Sequence, residues 1–222
     1  MLKSIKFVKN LDKIIILAQG PSWYQCPYDK EESPEGTEIW GSNVIFRDHR
    51  VDRLFFAHDP RQELLHDDMN LFETLNELKV PVYTTGVFKV LKKNAQIPVA
   101  ELMEEFKVGF FLNVICWMTA TAVLQNPKAI EFYGVDMRPD AGNESFVNEK
   151  GGVEFWVGAA IGRGISFKNT KESFIMKTKQ EGFFPNMKKK VLQKGLYSLV
   201  PERDRNPEAI RSYVILPDGD EI

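Results

Sequence analysis

The tightest constraint on this chain lies in how its apolar runs begin and end. Lys13-Ile-Ile-Ile-Leu-Ala-Gln19 is an unbroken, β-branched stretch that stops at Gly20-Pro21-Ser22. A strand with one wet face alternates apolar and polar residues, whereas a strand buried on both faces reads as a continuous run. The segment therefore belongs inside a parallel sheet covered on both sides. The pattern recurs at Glu38 to Arg47, broken by Gly41-Ser42-Asn43, at Asp52 to His58, at Pro81 to Thr85, at Ala129 to Val135 and at Ile165 to Lys168. Helical signals fall between these runs. Asp59-Pro60 opens a helix with apolar positions from Leu64 to Leu78, and Pro98 starts a short one through Phe106. Asn113 to Leu124 is apolar nearly all round and ends at Asn126-Pro127, and a helix from Gly152 to Arg163 is stopped by Gly164. Strands and helices in this order, with crossovers of helical length, predict an α/β fold with a mostly parallel sheet and helices on both faces.

Size and charge narrow the function classes. A chain of 222 residues holds one full α/β domain with an appendage, not two large domains. Its 29 Lys and Arg against 31 Asp and Glu give a formal charge of -2, so no global positive field draws in nucleic acid or an anionic membrane. Two cysteines, Cys26 and Cys116, are too few for a disulfide framework, and both read as reduced thiols of a cytoplasmic protein. The apolar stretch near the amino terminus, Ile14 to Ala18, falls far short of the ~18 residues a membrane span needs. After about residue 180 the chain becomes charged and broken by proline. The expected division is a domain over 1–180 and a carboxyl-terminal extension over 181–222 that packs on the domain or on a partner subunit, with a homo-oligomer as one outcome.

In a doubly wound sheet, ligands bind outside the carboxyl ends of the strands. That rule selects Gln19-Gly20-Pro21-Ser22, Gly41-Ser42-Asn43, His58-Asp59, Thr84-Thr85-Gly86 and Gly134 to Asp136. Glycines there let backbone approach a ligand, and amides with Ser22 and Asn43 can hold phosphate oxygens without formal positive charge. Asp136, just past a buried strand, can accept from a ribose hydroxyl, hold a cation beside a diphosphate, or hold a helix amino end. His58 has the chemistry of a general base, and equally of a helix cap. The chain has no Walker A loop, no G-x-G-x-x-G after the first strand, no His-Glu-x-x-His, no Cys-x-x-Cys and no G-x-S-x-G elbow. The metal expectation from motifs is therefore none.

Taken together, Leu17-Ala-Gln-Gly-Pro-Ser-Trp23, Ile39-Trp-Gly-Ser-Asn-Val-Ile-Phe46, Asp52-Arg-Leu-Phe-Phe-Ala-His58, Phe111 to Val123 and Ile130-Glu-Phe-Tyr-Gly-Val-Asp-Met137 resemble a known pattern. It is the Rossmann-like nucleotide-binding domain of bacterial lipooligosaccharide sialyltransferases, motility accessory factor glycosyltransferases and archaeal 6-hydroxymethylpterin pyrophosphokinases. The likeness is closer to the phage-encoded proteins of that superfamily. The resemblance implies that Gly20, Pro21 and Ser22 form a phosphate-side loop, that Asn43 contacts phosphate or sugar of a donor, and that Asp136 lies at the nucleotide pocket. Gln19 stands where the family usually has Asn, and the family's Thr-Ser pair falls on Leu112 and Asn113. The late His that serves sialyltransferases as base has no counterpart, since all three histidines precede residue 67.

The expected activity is that of a glycosyltransferase with a nucleotide-sugar donor on Gln19, Gly20, Pro21, Ser22, Asn43, Asn113, Gly134 and Asp136, and with His58 or Asp59 as base. The acceptor is a phage or host glycan or modified DNA, the latter resting on the basic cluster Lys188 to Lys190 with Lys194. Two other readings stay open. One is diphosphate transfer from ATP with Mg2+, drawing on Asp136, Asp140, Arg138 and Arg163; the other is a non-catalytic protein that sequesters a nucleotide, in the host cytoplasm if phage-encoded.

Overall fold

In the computed structural model, which describes residues 11–57, 71–86, 88–138 and 145–176, the run after Lys13 forms β1 (Lys13–Leu17) at the middle of a sheet. The other strands are β2 (Thr37–Ser42), β3 (Arg53–Phe56), β4 (Val82–Thr84), β5 (Asn94–Gln96), β6 (Ala129–Tyr133) and β7 (Ser166–Asn169). Their order is β5-β4-β3-β2-β1-β6-β7, and all neighbours pair in parallel. Ile14, Ile15, Ile16 and Leu17 are all fully buried, as an unbroken apolar run in a two-sided sheet requires. The fold is the expected α/β, Rossmann-like arrangement.

Helices α1 (Leu71–Glu77), α2 (Val99–Phe106), α3 (Val114–Gln125) and α4 (Ser145–Gly162) complete the described elements, with short 3-10 turns at Pro21–Gln25 and Ile45–Arg47. One face of the sheet carries Ile14, Ile16, Trp40, Phe55, Ile130 and Phe132 and packs against α2, α3 and α4. The opposite face carries Ile15, Leu17, Ile39, Leu54 and Phe56 and packs against α1 and the loops around Cys26 and Ile45. Helix α3 is buried nearly all round, because it lies between the sheet and α4. Its two mid-helix threonines are satisfied internally: Thr119 donates to the Ile115 carbonyl and Thr121 to that of Trp117, each at 2.7 Å.

Three segments differ from the sequence expectation, the first being the run from Glu38 to Arg47, which is strand only to Ser42 and turns into 3-10 helix at Ile45–Arg47. Helix α4 begins at Ser145, seven residues ahead of Gly152. The Gly151-Gly152 pair reads as a boundary, yet at Gly152 a Cβ would lie 3.0 Å from Cys116 Sγ, so the glycine is what lets α4 close on α3 inside a continuous helix. The edge strand β5 has no apolar signature at all. It is held by Asn94, whose amide donates to the Val82 carbonyl and Thr84 Oγ1 and whose carbonyl accepts from Phe88 N–H. His58, Asp59, Asp140, the start of the helix after Pro60, the lysine cluster and the 181–222 extension lie outside the described residues. Among the described residues no helix is long and apolar enough to cross a membrane.

Candidate functional site

The chain runs outward from β1 through β2, β3, β4 and β5, then returns across the sheet to place β6 on the other side of β1. The strand order therefore reverses between β1 and β6. Loops leaving the two strands diverge there, which opens a crevice at their carboxyl ends.

Backbone geometry shapes this end. Ala18 N–H donates to the Tyr133 carbonyl at 2.9 Å and Gly20 N–H to the Gly134 carbonyl at 2.8 Å, extending the β1 to β6 pairing past the last ladder residues. Gly134 has φ +67, and a Cβ on it would sit 2.0 Å from the Ala18 carbonyl oxygen, so only glycine fits. Gly20 is almost as confined, with a Cβ meeting the Gly134 carbonyl oxygen at 2.5 Å.

A cavity of about 630 Å³ occupies the crevice. Gln19, Gly20 and Pro21 line it from β1, Ser42 and Asn43 from β2, Gly134, Asp136 and Arg138 from β6, Asn113, Val114 and Ile115 from the start of α3, and Glu149 from α4. Leu112 also lines it while 45% exposed, which sets this side chain at the mouth. Seven residues singled out by strand ends or by resemblance thus meet at one place: Gln19, Gly20, Pro21, Asn43, Asn113, Gly134 and Asp136.

Ser22 is the exception, and its position corrects the expectation of a ligand contact. It is fully buried behind the loop. Its hydroxyl donates to Asp136 Oδ1 at 2.5 Å and accepts from Gly134 N–H and Thr170 Oγ1, each at 3.0 Å. One donor and two acceptor sites are all that a serine hydroxyl has, so nothing remains for a phosphate. Asp136, 3% exposed, also accepts from Ser22 N–H at 2.8 Å. Both carboxylate oxygens therefore anchor the 3-10 turn after β1. Of the roles open to Asp136 from sequence, holding a helix amino end is the one its hydrogen bonds perform.

The remaining polar groups are less fully used. Asn43 sits at φ +51, a left-handed conformation that asparagine tolerates, and its Oδ1 is buried without a hydrogen-bond partner. At the facing wall, Asn113 caps α3: its Oδ1 accepts from Cys116 N–H at 2.9 Å and its Nδ2 donates to Glu149 Oε2 at 2.9 Å. In an α-helix the first amides have no intrahelical acceptor, and Val114 and Ile115, the first two residues of α3, line the cavity. Cys116 is fully buried one residue on, and burial pushes its thiol up, so it is not poised as a nucleophile.

The cavity carboxylates fit a metal poorly, with Asp136 committed to Ser22 and Glu149 leaning on Asn113. Among the described residues no group of three or more His, Cys, Asp or Glu converges as a metal site. Arg163, raised with the diphosphate reading, pairs with Glu105 at 2.8 Å and lies over the Phe106 ring, and it does not line the cavity. Sequence reasoning did not single out Glu149, which sits in a polar stretch, Asn148-Glu149-Lys150, that looks like any solvated helix face.

No protein-family model matches the chain, and no curated protein matches it. Among solved structures it is similar to the sialyltransferase CstII from Campylobacter jejuni in complex with the substrate analogue CMP-3FNeuAc. That match has 14% identity and a TM-score of 0.47, over 71% of this chain and 79% of that one. A second structure of the same enzyme, in complex with cytidine-5'-monophosphate, gives 14% identity and a TM-score of 0.45 over the same shares.

Proposed function

We propose that the cavity binds a nucleotide-activated sugar and that the protein is a glycosyltransferase. The observation that carries this reading is the convergence at the sheet's switch point of the amino end of α3 and the buried, unpartnered Asn43 Oδ1. A helix amino end with open amides favours an anion such as a phosphate. A buried amide with no protein partner is costly unless a ligand satisfies it, and its carbonyl suits a sugar or ribose hydroxyl. The volume is in the range of pockets that enclose small molecules and cofactors. With a near-neutral chain, phosphate binding falls to amides and local cations rather than to the field of the whole protein.

Direct test is by thermal unfolding of the purified chain with CMP, UDP, CMP-N-acetylneuraminic acid, UDP-N-acetylglucosamine and ATP. At 100 times the dissociation constant a ligand adds about 2.7 kcal/mol, which for a domain this size raises the midpoint by roughly 5–10 °C. A shift with a nucleotide sugar and release of its nucleotide support the reading. AMP release from ATP supports diphosphate transfer instead, and tight binding without turnover supports sequestration. No shift with any nucleotide removes the reading.

A further inference from the structure

Glu149 reaches the cavity from α4, with one carboxylate oxygen held and the other open. Oε2 accepts from Asn113 Nδ2 at 2.9 Å, and Asn113 is itself fixed as the cap of α3 through Cys116 N–H. Among the described residues, Oε1 of Glu149 has no hydrogen-bond partner, and Glu149 lines the cavity. The other polar side chains of the lining offer no carboxylate oxygen without a hydrogen bond. Gln19, Asn43 and Asn113 are amides, Arg138 is a permanent cation, and both oxygens of Asp136 are engaged by Ser22. Glu149 is the proton acceptor that the described cavity wall offers.

We propose that Glu149 is the catalytic base that deprotonates the acceptor hydroxyl; this rests on the nucleotide-sugar reading above. The acceptor O–H gives its proton to Oε1 as its oxygen forms the bond to the anomeric carbon. The bond between the anomeric carbon and the phosphate oxygen breaks, and its electron pair leaves with the nucleotide phosphate, which the Val114 and Ile115 amides stabilise. The proton leaves Glu149 to solvent after product release. Asn113 is a positioning residue, orienting the carboxylate and fixing the helix amino end with one amide.

The role has a signature that a structural contact lacks. Glu149 puts a negative charge in the same cavity as the donor phosphate, so Glu149→Gln binds the nucleotide no more weakly than wild type. Its amide oxygen keeps the bond from Asn113, which preserves the fold. A missing base costs about 10²–10⁴-fold in rate.

The test uses the full chain and two probes, CMP-N-acetylneuraminic acid and UDP-N-acetylglucosamine, with binding read by calorimetry and nucleotide release by a coupled assay across pH 4–9. The expected result is donor binding retained in Glu149→Gln, release down by about 10²–10⁴-fold, and loss of the acidic limb of the wild-type kcat profile, with partial recovery in Glu149→Asp. Turnover within about threefold of wild type, or binding and turnover lost in parallel, overturns the base role. Wild type that binds neither donor, or that binds but never releases nucleotide, overturns the parent reading and this role with it, whereas wild-type release that Glu149→Gln leaves intact overturns the role alone.

Discussion

The amino end of the sheet closes its buried polar groups on one another, whereas the carboxyl end closes some, Ser22 on Asp136, and leaves others open toward the cavity. At the amino end, Arg53 makes a two-pronged bond to Glu38, with Nε to Oε2 at 2.7 Å and Nη2 to Oε1 at 2.8 Å, and its Nη1 donates to Tyr83 Oη at 2.7 Å. Trp40 Nε1 donates to the same Glu38 Oε2 at 2.7 Å, and Trp40, Phe55 and Tyr83 stack with centroids 5.2 and 4.8 Å apart. Burial opposes the charge on Arg53, but the bonds to Glu38 and Tyr83 outweigh it and hold the guanidinium protonated. On the other face, Lys13 pairs with Glu131 at 2.8 Å and Tyr133 Oη donates to the same carboxylate. At the carboxyl end, Asn43 Oδ1 has no partner and Glu149 has an open oxygen. A buried polar cluster closed on itself is structure, whereas one left open toward a cavity is where a ligand completes it.

That contrast breaks first at the glycines. Gly134→Ala forces a Cβ to 2.0 Å from the Ala18 carbonyl at a positive φ, so the β1 to β6 junction cannot close. The expected loss exceeds about 4 kcal/mol, read as failure to show a cooperative unfolding transition. Arg53→Ala comes next. It strands Glu38, a carboxylate whose side chain is 14% exposed, and costs about 3–5 kcal/mol by urea denaturation, with nucleotide affinity of the folded fraction unchanged. Ser22→Ala removes the hydroxyl that Asp136, Gly134 and Thr170 share, for about 1–3 kcal/mol. If Ser22 bound ligand directly its loss would weaken affinity more than stability; the reverse is expected.

A smaller effect separates the ends by pH. Burial first, then the carboxylates of Asp29 and Glu131, push the Cys26 thiol up to about 12 from its ordinary value of 9.0. The unfolded chain releases that proton near 9.0 while the folded chain keeps it to about 12, so stability is full below pH 9 and falls as pH rises through 9–12. Urea midpoints of Cys26→Ala are expected to decline less steeply over that window than those of wild type. Smallest in stability is Asn43→Gly. Glycine accepts φ +51 and the change removes a buried Oδ1 that nothing in the protein bonds, so it costs no stability and gains up to about 1 kcal/mol without ligand.

Much of this architecture is legible in the residues. The five-residue run Ile14 to Ala18 and its counterpart Ala129 to Val135 mark β1 and β6, two interior strands, because burial on both faces leaves no room for alternation. The polar and glycine-rich strand ends Gln19-Gly20-Pro21, Asn43 and Gly134 to Asp136 locate the cavity, since chain direction alone decides which ends face it. Side-chain direction is not legible. Gly-Pro-Ser is an ordinary turn sequence, and only the fold shows Ser22 turned inward onto Asp136. Glu149 meets Asn113 across 36 residues of sequence, and its placement depends on α4 continuing through Gly151-Gly152, which local propensity argues against. Strand β5 pairs with β4 through its backbone and is pinned by the Asn94 side chain, contacts that hydrophobic patterning does not register.

The open polar groups at the carboxyl end are proposed to receive a nucleotide. Calorimetric titration of wild type and Asn43→Gly with CMP and UDP, alongside urea denaturation of both, tests this proposal most directly. Wild type is expected to bind, with affinity about tenfold lower in Asn43→Gly from the lost hydrogen bond and no loss of stability in that variant. Equal affinity in the two proteins, or no binding of either nucleotide by wild type, would contradict it.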